Sequence, residues 1–160
     1  MPERIVIEDL PDAAAAAPLA PQFEAMYAHF AAVSGQGLLR DDAFRHWLGA
    51  YGPPTALKSR LICAARAEGM VIGFAEGLLR APPGWFAPGW LGFVAHLHVA
   101  PEWRKCGVAS MLVERLREWF RARGVKQLQL HVVRGNVGAE AFWLAQGFEP
   151  ELQQMRCDLA

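Results

Sequence analysis

A short basic loop in front of a long amphipathic helix holds the first candidates for chemistry. Arg104 and Lys105 precede Gly107, and the predicted helix begins directly after this glycine. At a helix N-terminus the first backbone N–H groups have no intrahelical partner, and the helix dipole is positive. Glycine also lets a ligand approach the backbone closely, because it has no Cβ. The loop is therefore suited to bind a phosphate or pyrophosphate group.

Three side chains on the predicted strands before this loop are suited to move a proton. His96 and His98 are two residues apart, so both lie on one face of their strand. Histidine changes charge near neutral pH, which is what a general base requires. Glu76, on the preceding strand, is a third candidate that acts directly or through water. For each of the three, the alternative interpretation is a purely structural role. A His-x-His pair can also bind a metal, but no third ligand is identifiable, so we predict no metal site.

Composition indicates one domain over residues 1–160 and argues against several partner classes. Lys and Arg number 16, as do Asp and Glu, and this zero net charge argues against nucleic-acid binding and a polybasic membrane anchor. The three cysteines, Cys63, Cys106 and Cys157, have neither disulfide-framework nor zinc-site spacing. No signal peptide or membrane-spanning apolar stretch is visible, and we expect a cytoplasmic location.

Hydrophobic periodicity predicts the elements that position these residues. The long helix after the basic loop has Leu112, Leu116 and Phe120 on one face, and Gly124 ends it. Because this helix joins two strands, those strands are expected to be parallel. The alanine run at 12–17 is either a helical turn or a connector. We predict strands at 4–10, 61–67, 70–80, 90–99 and 127–133, helices at 23–33, 42–51, 108–123 and 136–146, and a terminal strand or strand pair within 148–159.

Two sequence blocks resemble the GNAT N-acetyltransferase superfamily. The Arg-x-x-Gly-x-Ala pattern at residues 104–109 resembles its acyl-CoA loop. The block at residues 130–148, with Asn136, Phe142 and Gly147, is similar to its second conserved region. The order of predicted elements matches the family topology over nearly the whole chain. The resemblance implies an α/β (α+β) GNAT fold, with a mixed central sheet of six to seven strands, about four flanking helices and splayed parallel strands that form the acyl-CoA cleft.

The resemblance also implies acetyl-CoA as the acyl donor. In the family its pantetheine arm lies between the splayed strands and pairs with backbone groups exposed there. The backbone of Leu97 and Val99 is expected at this position, and the Val99 amide is a candidate to stabilise the oxyanion. Asn136 is expected near the leaving sulfur, or else serves only as a helix N-cap. The other residues expected to contact the cofactor are His98, Arg104, Lys105, Cys106, Gly107, Val108, Ala109, Ser110 and Trp143.

Trp143 departs from the family pattern, in which a tyrosine at this position protonates the departing thiolate. The indole N–H cannot serve as that acid. A free thiol has a pKa of about 8.5, so the thiolate needs an acid only weakly near neutral pH. We therefore expect a weakened mechanism, and a CoA-binding module without turnover is the alternative. The two tyrosines of the chain, Tyr27 and Tyr51, have helical core spacing and are interpreted as packing residues.

The activity that the resemblance implies is acetyl-CoA-dependent N-acetylation of a primary amine, by direct attack on the thioester. The general base for the amine is then one of the three proton-moving candidates. The acceptor is a small amine, an amino acid, an antibiotic or a peptide N-terminus, and the lack of an acidic cluster argues against polyamines. Trp85, Phe86 and Trp90, in the loop before the predicted strand at 90–99, are expected near the acceptor's entrance as an apolar wall, or else cover a sheet edge or a homodimer interface.

Overall fold

A mixed sheet is the centre of the computed structural model, which describes residues 4–37, 39–51 and 58–159. Within these ranges the sheet has five strands, β1 (Val6–Asp9), β2 (Arg60–Ala67), β3 (Met70–Arg80), β4 (Leu91–Val99) and β5 (Leu128–Leu130). They lie side by side in the order of the chain. The pairs β1–β2, β2–β3 and β3–β4 are antiparallel, and the pair β4–β5 is parallel.

The helices are inserted at three points of the strand order. A single turn and two longer helices lie between β1 and β2, one helix joins β4 to β5, and one follows β5. Gly35 ends the second helix in a left-handed conformation, at φ +65°. The helices are α1 (Ala13–Ala16), α2 (Ala20–Ser34), α3 (Ala43–Gly49), α4 (Val108–Arg121) and α5 (Val137–Ala145).

Each face of the sheet has its own hydrophobic core. Because side chains alternate along a strand, β2 contributes Cys63 to one core and Ile62 to the other. The first core lies under α4, whose fully buried Leu112 and Leu116 belong to it. The second lies under α2, where Phe23 is buried against the sheet. Side chains on β3 and β4 therefore face either α4 or α2. Only side chains that face the same set of helices can contact each other.

The parallel strands β4 and β5 are paired over only three residue pairs, from Gly92 opposite Leu128 to Val94 opposite Leu130. A Cβ on Gly92 would collide with the Leu128 side chain, so glycine permits this close start of the pair. Beyond Val94, β4 continues to Val99 without β5 beside it. The predicted splay of these strands is present in the structure.

The predicted six to seven strands are too many, since the described residues form five. The terminal strand expected within 148–159 is absent from this segment, which forms no regular element. Its apolar side chains do not reach a sheet: Leu152 is 91% exposed and Met155 85%. The expected strand at 127–133 shortens to β5 because its second half leaves β4. No helix in the described ranges is long and apolar enough to cross a membrane.

Candidate active site

A cavity of about 850 Å³ occupies the gap between β4 and the chain that continues from β5. On one face of the sheet its walls are Tyr27 and Phe30 of α2. On the other face its walls include Ala109 at the start of α4 and Trp143 of α5. Because the strands have separated, the cavity passes through the sheet and joins its two faces.

The edge of β4 presents backbone groups to this cavity. The Ala100 N–H donates to the Ile72 carbonyl at 2.9 Å, so the backbone of Ala100 faces β3. In an antiparallel pair this orientation alternates, and the backbone groups of Leu97 and Val99 therefore face the gap. The Val99 carbonyl accepts a hydrogen bond from Arg104 Nε at 3.1 Å. The Val99 N–H and the Leu97 groups remain directed at the cavity.

The basic loop opens onto the same cavity at the start of α4. Gly107 has φ +83° and Lys105 has φ +61°, both in the left-handed region. The first α-helical bond runs from the Met111 N–H to the Gly107 carbonyl, so the amides of residues 107–110 precede the helical pattern. A Cβ on Gly107 would meet no atom within 4 Å. Gly107, Ala109 and Ser110 at the positive start of α4 thus line open space together with the side chains of Arg104 and Lys105.

The cavity brings together ten of the twelve residues expected to contact the cofactor. Val108 is an exception, because its side chain is 1% exposed and belongs to the core under α4. Cys106 is the other, an exposed thiol whose Sγ lies 3.4 Å from the Arg104 carbonyl. Asn136 caps α5 by accepting the Ala139 N–H at 3.3 Å, and it also lines the cavity. The ten lining residues are Leu97, His98, Val99, Arg104, Lys105, Gly107, Ala109, Ser110, Asn136 and Trp143.

A chain of hydrogen bonds runs from the cavity wall to a buried ion pair. His96 lies at its centre, with Nε2 2.7 Å from Tyr27 Oη and Nδ1 2.5 Å from Glu76 Oε2. The same carboxylate oxygen accepts from Trp47 Nε1 at 3.0 Å. Its other oxygen accepts from Arg60 Nε, and the side chains of Arg60 and Glu76 are 7% and 3% exposed. Glu76 itself does not line the cavity, so it acts on any ligand there through His96.

The surroundings of Glu76 and Tyr27 shift the pKa of each in this chain of hydrogen bonds. Burial opposes ionisation of Glu76, but hydrogen bonding and charge from His96, then charge from Arg60, outweigh it and lower the pKa of the carboxyl group. Burial, and then the charge of Glu76, raise the pKa of Tyr27. At neutral pH the chain therefore holds a carboxylate and a neutral phenol. The carboxylate can only accept, which places a hydrogen on His96 Nδ1.

His98 lies on the same strand face but in a different environment. Its side chain is 7% exposed, and its Nε2 has no hydrogen-bond partner among the described residues. Burial, then the charges of Arg104 and His29, lower the pKa of His98 to about 4. It is therefore neutral and weakly basic near pH 7. In the part of the chain that is described, no group of three or more His, Cys, Asp or Glu could hold a metal ion.

Sequence reasoning missed three members of the hydrogen-bonded chain: Tyr27, Trp47 and Arg60. Tyr27 does pack, with its ring centroid 4.8 Å from that of Phe23, but its hydroxyl contacts His96, which is 69 positions away in sequence. Helical spacing identifies the inward face of α2 and says nothing of what a hydroxyl on that face meets. Only the fold supplies that contact.

The loop between β3 and β4 does not form the expected apolar wall of the cavity, and its alternative role as a cover for a sheet edge or a homodimer interface stays a prediction. The loop lies at the end of β4 opposite to Val99, and none of its residues lines the cavity. Trp85 is 83% exposed and Phe86 62%. The apolar wall of the cavity comes from α2 instead, with Met26, Phe30 and Val33.

Comparison with known proteins is consistent with this geometry. The profile of the Acetyltransferase (GNAT) family matches residues 23–148. Aminoglycoside N(6')-acetyltransferase type 1 of Klebsiella aerogenes is 29% identical over 102 residues, or 64% of this chain, and the match spans only 66% of that relative. The fold resembles a tetramutant of BH1408 from Bacillus halodurans (TM-score 0.81, 14% identity, 96% of this chain and 99% of that one). It also resembles aminoglycoside N-acetyltransferase AAC(6')-Iy in complex with CoA (TM-score 0.75, 18% identity, 99% and 97%). Since the family profile covers more than half of the sequence, the chain belongs to the acetyltransferase (GNAT) family.

Proposed function

We propose that the protein is an acetyl-CoA-dependent N-acetyltransferase that acetylates a primary amine by direct attack on the thioester. The observation that carries this proposal is the cavity through the sheet. It joins an anion-binding helix start on one face to the hydrogen-bonded chain around His96 on the other. A donor and an acceptor entering from opposite faces would meet in the gap, which is what a direct transfer between two bound substrates requires.

Acetyl-CoA would supply an activated acetyl group, and the residues of the gap would hold it. The amides of residues 107–110, with Arg104 and Lys105 beside them, are suited to the pyrophosphate. The open edge of β4 at Leu97 and Val99 can pair with the amides of the pantetheine arm. The Val99 N–H is then a donor for the oxyanion that forms when the amine attacks.

His96 is the general base that the geometry favours among the three candidates. It lines the cavity, whereas Glu76 lies behind it. The Glu76 carboxylate holds the His96 ring through Nδ1 and stabilises the imidazolium that forms when the base accepts a proton. His98 also lines the cavity, but its lowered pKa makes it a weak base near pH 7.

For the acceptor we propose a monoamine with an apolar or aromatic body. Met26, Phe30 and Val33 form the α2 wall, and no Asp or Glu is among the described residues that line the cavity. Several relatives are by name aminoglycoside acetyltransferases, so an aminoglycoside is the natural competitor in a test. A cavity whose described lining has no carboxylate offers a polycation no charge partner along its walls.

The test measures release of free thiol from acetyl-CoA with an arylalkylamine, an aminoglycoside and a polyamine. We expect kcat/KM for the arylalkylamine to exceed the other two by at least about tenfold, since burial of apolar surface is available to it alone. Faster turnover of the aminoglycoside would contradict the acceptor proposal and leave the transferase proposal standing. Tight binding of CoA without thiol release from any amine would favour the non-catalytic module.

A further inference from the structure

Both nitrogens of His96 are engaged in the structure. Nδ1 lies 2.5 Å from Glu76 Oε2, and Nε2 lies 2.7 Å from Tyr27 Oη. The carboxylate can only accept, so the hydrogen of a neutral imidazole is on Nδ1. In this neutral form Nε2 carries the lone pair, and the Tyr27 hydroxyl donates to it. The basic atom of a neutral His96 is then covered by the hydrogen of a phenol.

The phenol oxygen keeps free acceptor capacity of its own. A hydroxyl donates one hydrogen and still offers two lone pairs. Tyr27 lines the cavity, so its hydroxyl oxygen can accept a hydrogen bond from a ligand bound there. A second possible route, in which Tyr27 swings away to uncover His96, would have to break its ring packing on Phe23, whose centroid is 4.8 Å away, and on Phe30, at 6.1 Å.

We infer that Tyr27 is a catalytic residue, which takes the proton from the attacking amine and passes its own hydroxyl proton to His96 Nε2. This inference rests on the proposed function. It assigns Tyr27 the place that a serine hydroxyl holds beside a His–carboxylate pair, but as a proton carrier and not as a nucleophile.

The steps balance without a further reagent. The amine nitrogen bonds to the thioester carbonyl carbon, and its N–H proton moves to Tyr27 Oη as the phenol proton moves to His96 Nε2. His96 becomes an imidazolium paired with the Glu76 carboxylate. The C–S bond breaks and CoA departs as a thiolate. The imidazolium then returns its proton through Tyr27 to the thiolate or to water, which restores the neutral imidazole.

This route also accounts for the tryptophan at position 143. A proton stored on His96 is available in the cavity after the amine has attacked, and both Tyr27 and Trp143 line that cavity. The departing thiolate therefore does not depend on a separate acid at position 143.

Tyr27→Phe tests the relay with minimal change in packing. We expect kcat to fall by about 10²-fold, the lower end of what a positioned general acid–base group contributes. The KM for acetyl-CoA should stay within about twofold, because the ring remains in place. Tyr51→Phe is the matched control: Tyr51 is the other tyrosine of the chain, and its buried hydroxyl has no partner among the described residues. The control should keep the wild-type kcat. Equal kcat in Tyr27→Phe and wild type would overturn the relay.

A measurement on the resting protein tests the premise independently of turnover. The ¹⁵N chemical shifts of His96 at pH 8 should show hydrogen on Nδ1 and a lone pair on Nε2. A protonated Nε2 would mean that Tyr27 accepts and does not donate, which would overturn the relay even in an active enzyme. If the shifts are as expected but no amine releases thiol, the proposed function fails and not the proton arrangement.

Discussion

At the scale of single residues, His96 and His98 show how position within one strand sets two different chemistries. Both imidazoles face α2, and each ring centroid lies 6.4 Å from that of Phe74. His96 has a hydrogen-bond partner on each nitrogen. His98 is kept neutral first by its burial and then by the charges of Arg104 and His29, which together lower its pKa. Spacing of two residues predicts the shared face, but only the neighbours supplied by other elements separate the two roles.

The neutral burial of His98 predicts a pH dependence of stability. Its pKa is about 4 in the folded protein, against an ordinary value of 6.5. Between these values the unfolded chain binds the extra proton, so the free energy of unfolding falls as the pH drops from 6.5 towards 4. One proton corresponds to at most about 1.4 kcal/mol per pH unit. The stabilising contribution is complete above pH 6.5.

Urea unfolding of wild type and His98→Gln between pH 5 and 6.5 measures this effect. The ordinary pKa of Glu76 is 4.5 and folding lowers it, so Glu76 changes the stability mainly below pH 5 and adds little to the slope between pH 5 and 6.5. We expect a shallower slope of stability against pH in the variant. Parallel slopes in the two proteins would show that folding does not lower the pKa of His98.

The contact between the Tyr27 hydroxyl and His96 is a further single-residue feature, and the sequence did not predict it. The helical spacing of Tyr27 predicts a side chain that faces the sheet, and the ring contact with Phe23 agrees with that. The contact of its hydroxyl with His96 spans 69 positions and depends on the register of two separate elements. Periodicity carries no information on such a pair, so no reading of α2 alone could have found it.

At the scale of elements, the sequence predicts the bounds of a helix or strand more accurately when one of its faces is completely buried. The helix after the basic loop was predicted closely, because Leu112, Leu116 and Phe120 form one fully buried face. β5 was predicted too long, since the alternation of apolar residues continues to Val132 although pairing with β4 ends at Leu130. A strand that leaves its sheet keeps its alternating sequence, so the splay is visible only in the pairing.

The left-handed glycines at the two ends of α4 give a matched test of the anion-binding loop. Gly107 has φ +83° and Gly124 φ +73°, and a Cβ at either would meet no atom within 4 Å. Alanine at each should therefore cost a similar 1–2 kcal/mol, roughly, from the left-handed backbone. Only at Gly107 would the new methyl group occupy the space proposed for the pyrophosphate.

Calorimetric titration with CoA separates the two variants. We expect Gly107→Ala to weaken binding by at least about tenfold, the loss of one charge-assisted hydrogen bond. Gly124→Ala should bind as wild type does, although its thermal stability falls by a similar amount. Equal affinities in both variants would mean that the phosphates lie elsewhere.

At the scale of the whole molecule, the sheet separates two sets of helices, and the cavity between β4 and the chain after β5 is open to both sets. The two hydrophobic cores belong to opposite faces. The described lining of the cavity draws on both faces, through Tyr27 of α2 and Trp143 of α5. Beyond Leu130, β5 no longer pairs with β4, and a ligand that fills the gap would pair with β4 in its place. We therefore expect such a ligand to protect only the backbone groups that line the gap.

Amide hydrogen exchange with and without CoA tests this view of the whole chain. We expect added protection at Leu97 and Val99, whose amides face the gap, and at residues 107–110 at the start of α4. The amide of Ala100 donates to the Ile72 carbonyl, and it should change little. This residue is the internal control, since it follows Val99 directly but faces β3. A uniform gain over all strands would indicate only that the ligand stabilises the folded state, as any binder does. Protection that alternates along β4 would place the ligand at its open edge as an added strand.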